Sequence, residues 1–179
     1  NTRIENYLAT KGKQIIGWDE ILEGGLSPNA TVQSWRGFEG GIEAVEQGHD
    51  AIMSPTSHAY FDYPVSSIDV PKVYSYSPIP SGLDPLDAGH ILGGECNLWS
   101  ERIPDVETLD RRFLPRGIAM AEVLWSHPLE RDYVAFWERL QDHYPILDTL
   151  GYSYDVEQVP VKLGTKNDIF IIFPKYMPY

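Results

Sequence analysis

Cysteine is almost missing: Cys96 is the single one in 179 residues. That excludes an intrachain disulfide framework and any cysteine-rich metal site. Histidine is sparse as well. The five present are scattered without ligand spacing, so no metal centre is expected, and no motif calls for a cofactor. Basic residues are few: Lys plus Arg number 14 against 26 Asp plus Glu, a net charge of −12. So anionic a surface lacks the basic patches that nucleic acid or an anionic membrane requires of a main partner. Long apolar runs are also absent. The longest late one, Ile169 to Phe173, has strand length and cannot span a bilayer.

What is present fits a folded domain. Hydrophobic residues make up 42% and charged residues 22%, near the globular norm, so wholesale disorder is excluded. The length suits one ordinary domain with a sizeable core. Five Trp and eleven Tyr are many for this length. Flat rings stack on the C–H faces of sugars and carboxylates accept hydrogen bonds from hydroxyls, so this composition suits a sugar site, although aromatics more often fill cores.

Along the chain, strand and helix patterns alternate. Asn1 falls inside a helical pattern in which Ile4, Tyr7 and Leu8 share a face, so the domain is expected to begin upstream. Lys13–Trp18, Ala30–Trp35, Asp50–Ser54 and Ile91–Leu98 read as strands. Phe38–Gln47 reads as a short helix closed by Gly48. Residues 55–89, rich in Pro, Ser and Tyr, have no strong period and read as a functional loop. Val106–Trp125 is helical with a break at Pro115, and Asp132–Leu150 is a helix capped by Gly151. Residues 1–156 thus form one unit, and 157–179 a tail with at most one added strand. Such alternation implies parallel βαβ units, either a small open sheet or half of a (β/α)8 barrel.

In a barrel, chemistry collects where the strands end. Here the strand ends carry Trp18-Asp19-Glu20, Ser34-Trp35-Arg36, Tyr60-Phe61-Asp62-Tyr63 (a little beyond the third strand) and Trp99-Ser100-Glu101. Three of the five Trp lie at these ends, more than chance placement supplies.

The stretches GWDEI (17–21), TVQSW (31–35), SPTSHAYFDY (54–63), VYSYSPIP (73–80), GGECNLWSE (93–101), PRGIAMAEVLWS (115–126) and RLQDHYPILDTLGYSY (139–154) resemble, in order and spacing, the β-N-acetylhexosaminidases of glycoside hydrolase family twenty. Each is weak alone, but their succession is specific over residues 1–154. The resemblance implies an α/β fold, with these segments as strands five to eight, the second half, of a (β/α)8 TIM barrel. It implies N-acetylhexosamine-terminated glycans as partners, the N-terminal half of the same barrel as a structural partner, and a secreted, periplasmic or lysosomal location. It also implies that the acid/base Glu, part of an Asp-Glu pair after the fourth strand, lies upstream of Asn1 and that the fragment alone is inactive. Asp19-Glu20 is an adjacent pair too, but it follows the fifth strand in a different motif. A non-catalytic carbohydrate-binding half-barrel is the alternative.

By the same resemblance, catalysis is substrate-assisted: the sugar's 2-acetamido oxygen attacks the anomeric carbon. Trp18, Trp35 and Trp99 match the box around the acetamido methyl, with plain barrel core as the alternative. Tyr60 matches the tyrosine that orients and polarises the acetamido oxygen, and otherwise packs on its ring. Asp62 and Glu101 match carboxylates that bind outer sugar hydroxyls, and otherwise are solvated or paired with arginine. Tyr63, Tyr74 and Tyr76 are candidates for a further subsite or for packing. Arg116 and Glu122 suggest an ion pair, Trp125 and Trp137 core positions, and Cys96 a buried thiol in mid-strand.

Overall fold

A computed structural model of the chain describes residues 2–156; the tail expected over 157–179 lies outside them. Helix α1 (Thr2–Ala9) leads to strand β1 (Ile16–Trp18), a 3-10 turn (Asp19–Gly24), β2 (Thr31–Ser34), α2 (Glu39–Glu46) and β3 (Ala51–Met53). Short helices α3 (Val70–Tyr74) and α4 (Pro85–Ala88) precede β4 (Ile91–Gly94). A second 3-10 turn (Ser100–Arg102), then α5 (Val106–Phe113), α6 (Arg116–Trp125), a third 3-10 turn (Pro128–Glu130) and α7 (Tyr133–Leu150) complete the order.

The strands form one four-stranded sheet in the order β1-β2-β3-β4. Every pair is parallel, with Gly17 beside Val32, Val32 beside Ala51 and Met53 beside Gly94. This is the arrangement of half a TIM barrel. Helix α2 lies against β2 and β3, and α3 against α6. The core takes Val32, Ala51 and Met53 from the sheet, Ala44 and Val45 from α2, and Val70 and Val73 from α3. It takes Ala119, Met120 and Val123 from α6, and Phe136, Leu140, Tyr144 and Leu147 from α7. The spacings within α6 and α7 are those of one helical face.

The helix ends follow local chemistry. Asp132 caps α7 by accepting from the Val134 and Ala135 N–H groups, and Gly151, at φ 76°, closes it in the left-handed conformation. The predicted long helix divides at Pro115, which has no N–H to continue the ladder. The fourth strand is shorter than expected. A register shift between Ala51 and Ile52 leaves Leu92 as an extra residue, and pairing with β3 resumes at Gly93 and ends at Gly94. Cys96 therefore lies beyond the strand, half-buried, with burial pushing its thiol up to about 11.

Several side chains depart from expectation. Helix α1 forms, but Ile4 and Tyr7 are exposed, because no described residue covers that face. Trp125 is 93% exposed rather than core, while Trp137 does pack against the core. Arg116 and Glu122 do not pair. Glu122 instead binds Arg139 at 2.7 Å and accepts the Tyr74 hydroxyl at 2.8 Å. Tyr74 and Tyr76 are buried, so neither lines a subsite; Tyr76 donates to the Met53 carbonyl at 2.8 Å.

That last bond ties the long 55–89 segment to the sheet. The Met53 carbonyl also accepts the Glu95 N–H at 3.2 Å, so losing the hydroxyl does not orphan it. Tyr76→Phe is therefore expected to cost only the net value of one hydrogen bond, about 0.5–1.5 kcal/mol, read from the midpoint of urea denaturation.

Candidate functional site

Because all the strands are parallel, their C-terminal ends share one edge of the sheet. Trp18 ends β1, Trp35 follows β2, and Trp99 and Glu101 follow β4. Tyr60 and Asp62 reach the same edge from the long loop after β3. Their segment acts as a further rung: Asn97 N–H donates to the Ala59 carbonyl and Phe61 N–H to the Asn97 carbonyl, both at 2.7 Å. A loop without a strand pattern is thus stitched to the continuation of β4. Below it, Gln33 donates to Glu95, Ser54 donates to Glu95, and Asn97 donates to Ser54.

These residues wall one cavity of about 640 Å³. Trp18, Trp35, Tyr60, Asp62, Trp99 and Glu101 all line it, together with Glu20, Tyr63 and Arg102. The Trp18 and Trp99 rings lie 5.9 Å apart at 47°, and Trp35 lies 6.2 Å from Tyr60 at 34°. Tyr63 stands 5.6 Å from Tyr60, and the Arg102 guanidinium sits 4.6 Å from the Tyr63 ring centre. Arg102 was not anticipated. Its one sequence signal is adjacency to Glu101 in the same 3-10 turn.

Asp62 is the site's most constrained carboxylate. It is 3% exposed, and its Oδ1 has no hydrogen-bond partner among the described residues. Its Oδ2 lies 3.9 Å from Arg102, so the arginine pairing left open by the sequence is present but long. Asp62 lines the cavity, and a ligand hydroxyl that reached Oδ1 would satisfy it. Tyr60 is likewise buried, which pushes its phenol up to about 12, against the opposing effect of the nearby Trp99 indole N–H. An indole N–H can only donate, so the Tyr60 oxygen accepts from it and its own proton remains available to the cavity.

Asp19 and Glu20 have separate duties. The Asp19 carboxylate accepts the Trp35 N–H at 3.1 Å and the Arg36 N–H at 3.2 Å. Burial raises its pKa, although these two N–H groups oppose the shift. Gly40 makes room for it: a Cβ there would come within 2.9 Å of the carboxyl carbon. Glu20 is held low by its own backbone N–H, then by the Trp35 indole and Arg36. It accepts the Trp35 Nε1 at 3.3 Å and pairs with Arg36 at 3.1 Å. The two acids therefore place the Trp35 backbone and indole, and Asp19 does not line the cavity. Among the described residues no group of His, Cys, Asp and Glu is arranged to hold a metal ion.

Half a parallel barrel with a cavity of tryptophans, a tyrosine donor and carboxylates at its strand ends belongs to the class of carbohydrate-processing barrels. Residues 1–128 match the glycosyl hydrolase family 20 catalytic domain, and the chain belongs to that family. It is 39% identical over 181 residues to a beta-hexosaminidase of Porphyromonas gingivalis, an alignment covering 94% of this chain and 23% of that protein. It is 31% identical over 176 residues to a beta-N-acetylhexosaminidase of Cellulomonas fimi, covering 85% and 34%. Among solved structures, it resembles a GH20 exo beta-N-acetylglucosaminidase from Vibrio harveyi in complex with N-acetylglucosamine. There the TM-score is 0.76 at 29% identity, covering 85% of this chain and 26% of that one. A GH20 beta-N-acetylhexosaminidase from Streptomyces coelicolor A3(2) gives a TM-score of 0.77 at 26% identity, covering 89% and 36%. The chain thus spans between 23% and 36% of the length of these relatives.

The Tyr60 environment has a measurable consequence. Its folded pKa is raised above the ordinary 10.0, so its stabilising contribution is complete below pH 10 and is lost as pH rises through about 12. The difference in phenolate absorbance between wild type and Tyr60→Phe is expected to titrate near the raised value. Ionisation at the ordinary tyrosine pH would mean that the ring is solvated.

Proposed function

We propose that residues 1–156 are strands five to eight of the catalytic barrel of an exo-acting β-N-acetylhexosaminidase. The enzyme would release terminal N-acetylglucosamine or N-acetylgalactosamine from glycans with retention. The observation that carries this reading is the convergence of Tyr60, Asp62, Glu101 and three tryptophans on one cavity of about 640 Å³, room enough for a sugar ring. Trp18, Trp35 and Trp99 wall the acetamido methyl and hold the group bent beneath the ring. The acetamido oxygen then bonds to the anomeric carbon as the glycosidic C–O bond breaks, giving an oxazolinium. The departing oxygen takes its proton from an acid in the other half of the barrel, and water later reopens the oxazolinium. Tyr60 donates its hydroxyl hydrogen bond to the attacking oxygen and orients it, while Asp62 and Glu101 receive the sugar's outer hydroxyls.

The other half of the barrel is the structural partner in this proposal. Among the described residues β1 pairs only with β2 and β4 only with β3, so both outer strands keep an open edge. Ile16 on β1 and Leu92 on β4 are exposed, as expected where further strands would pack. A secreted, periplasmic or lysosomal compartment is part of this proposal, and fractionation of cells producing the full-length protein checks it.

The deciding assay uses an aryl N-acetylglucosaminide. In the full-length enzyme, Tyr60→Phe is expected to lower kcat about 10²–10³-fold with little change in KM, as for loss of a donor to a developing charge. Residues 1–179 alone are expected to give no turnover. Intact kcat in the Tyr60→Phe variant would assign Tyr60 to packing, and turnover by the isolated chain would revive Asp19-Glu20 as a catalytic pair. Saturable N-acetylglucosamine binding without hydrolysis by the full-length protein would favour the non-catalytic half-barrel.

Glu101→Gln and Asp62→Asn should each weaken the transition state by about 1.5–3 kcal/mol, the worth of a charge-assisted bond. They should do so unequally for gluco and galacto substrates, which differ only at the 4-hydroxyl. Trp35→Ala should weaken both equally, because the acetamido group is common to them. The measurement is kcat/KM for the two aryl glycosides. An unchanged ratio with less than about threefold loss would make the carboxylates rim groups, since a lost charged bond costs more.

A further inference from the structure

Arg116 opens α6 and is fully buried, yet it does not line the cavity. Its donors all go to main-chain oxygens. Nε reaches the Arg112 carbonyl at 2.8 Å, and Nη2 reaches it as well. Nη1 reaches Ile68 at 2.9 Å, Nη2 reaches Phe61 at 2.5 Å, and both Nη atoms approach Tyr63 at 3.5 Å. The Phe61 ring lies 4.6 Å from the guanidinium carbon. Burial lowers its pKa to about 10, so it remains a cation at neutral pH.

A buried cation is tolerated only where its donors all find acceptors. Beyond Arg112 on α5, the acceptors Phe61, Tyr63 and Ile68 all lie on one loop, and their positions are informative. Phe61 follows Tyr60, and the carbonyls of Phe61 and Tyr63 flank Asp62. On its other side the same loop is bonded to Asn97 beyond β4. The segment carrying Tyr60 and Asp62 is therefore gripped from two directions, and Arg116 is one of the grips. Lysine cannot replace it. Its donors radiate from a single atom, whereas the guanidinium plane spreads five of them over separated carbonyls.

We propose that Arg116 is a positioning residue of the sugar site: by holding the carbonyls of Phe61, Tyr63 and Ile68, it sets where the Tyr60 hydroxyl and the Asp62 carboxylate stand. This rests on the roles assigned above to Tyr60 and Asp62. Misplacing a reacting geometry by about 1 Å costs on the order of 10² in rate, so a loosened loop is expected to be felt in turnover.

The test is a double-mutant cycle in the full-length enzyme with an aryl N-acetylglucosaminide, Arg116→Lys against Tyr60→Phe, with circular dichroism and a thermal melt to establish folding. Arg116→Lys is expected to lower kcat roughly 10–100-fold in the wild-type background. With the Tyr60 hydroxyl already gone, the same substitution should cost at least about threefold less, because positioning a missing group has no value. A merely structural role would give the same factor in both backgrounds, and that result, or full activity of Arg116→Lys alone, would overturn the proposal. Should Arg116→Lys fail to fold, Phe61→Leu removes the ring beneath the guanidinium and keeps the carbonyl. A smaller loss of kcat, again absorbed by Tyr60→Phe, is expected of it, and equal losses in the two backgrounds would refute the idea. If Tyr60→Phe itself leaves kcat unchanged, the failure lies in the reading of the site and not in Arg116.

Discussion

Parallel strand pairing is the constraint from which the rest of this structure follows. Four strands that all run one way must deliver their C-terminal ends to one edge of the sheet. Each return connection must then cross outside the sheet, which is why helix α2 separates β2 from β3 and the long α3–α4 segment separates β3 from β4. Residues far apart in the chain, from Trp18 to Glu101, are brought to one cavity by this topology, with the Tyr60–Asp62 loop bonded to Asn97 beyond β4. None of them needs a local motif to find the others.

Topology sets the neighbourhood, and buried polar groups set the geometry within it. The β3–β4 ladder stops at Gly94, but the hydrogen bonding does not: Asn97 takes up the loop at Ala59 and Phe61. Asp19 performs the corresponding task for the turn at Trp35, and Glu20 for its indole. In each case a polar group finds a main-chain or indole partner, and for the buried Asp19 this avoids the cost of leaving it unmet. The Asp62 Oδ1 departs from this pattern, since it is buried and open at the cavity wall. Ser27 Oγ, away from the cavity, is also buried without a hydrogen-bond partner among the described residues, whereas Asp62 lines the cavity.

Particular residues show where reading along the chain succeeds and where it stops. Trp18, Trp35 and Trp99 were legible as site candidates because each follows a β pattern, and parallel strands end together. Asp132 and Gly151 were legible as helix limits because caps act within a few residues. The partner of Arg116 was not legible. Glu122 shares its helix, but tertiary packing turns Glu122 toward Tyr74 and Arg139 and sends Arg116 to carbonyls some fifty residues away in the chain. In sequence Tyr74 and Tyr76 suit a further subsite or packing alike, and the structure buries both. Trp125 looks like core by type, but among the described residues nothing covers it.

By itself, the sequence determined the alternation of strands and helices, the limits of α7 and the family resemblance, which named the six site residues; α3 and α4, inside the segment read as a loop, were not legible. Alternation and capping rest on short-range periodicity and local chemistry, and the resemblance on the order of motifs along the chain. Only the tertiary structure decided that Arg102 joins the cavity wall and that Asp19 faces backbone N–H groups rather than the cavity. It also decided that Tyr60 is pinned to Asn97 and that Arg116 grips the loop beside Asp62. Each of these is a hydrogen bond or contact between segments distant in sequence. Which donor meets which acceptor there depends on ångström-scale placement of whole elements, and no pattern along a single segment encodes it.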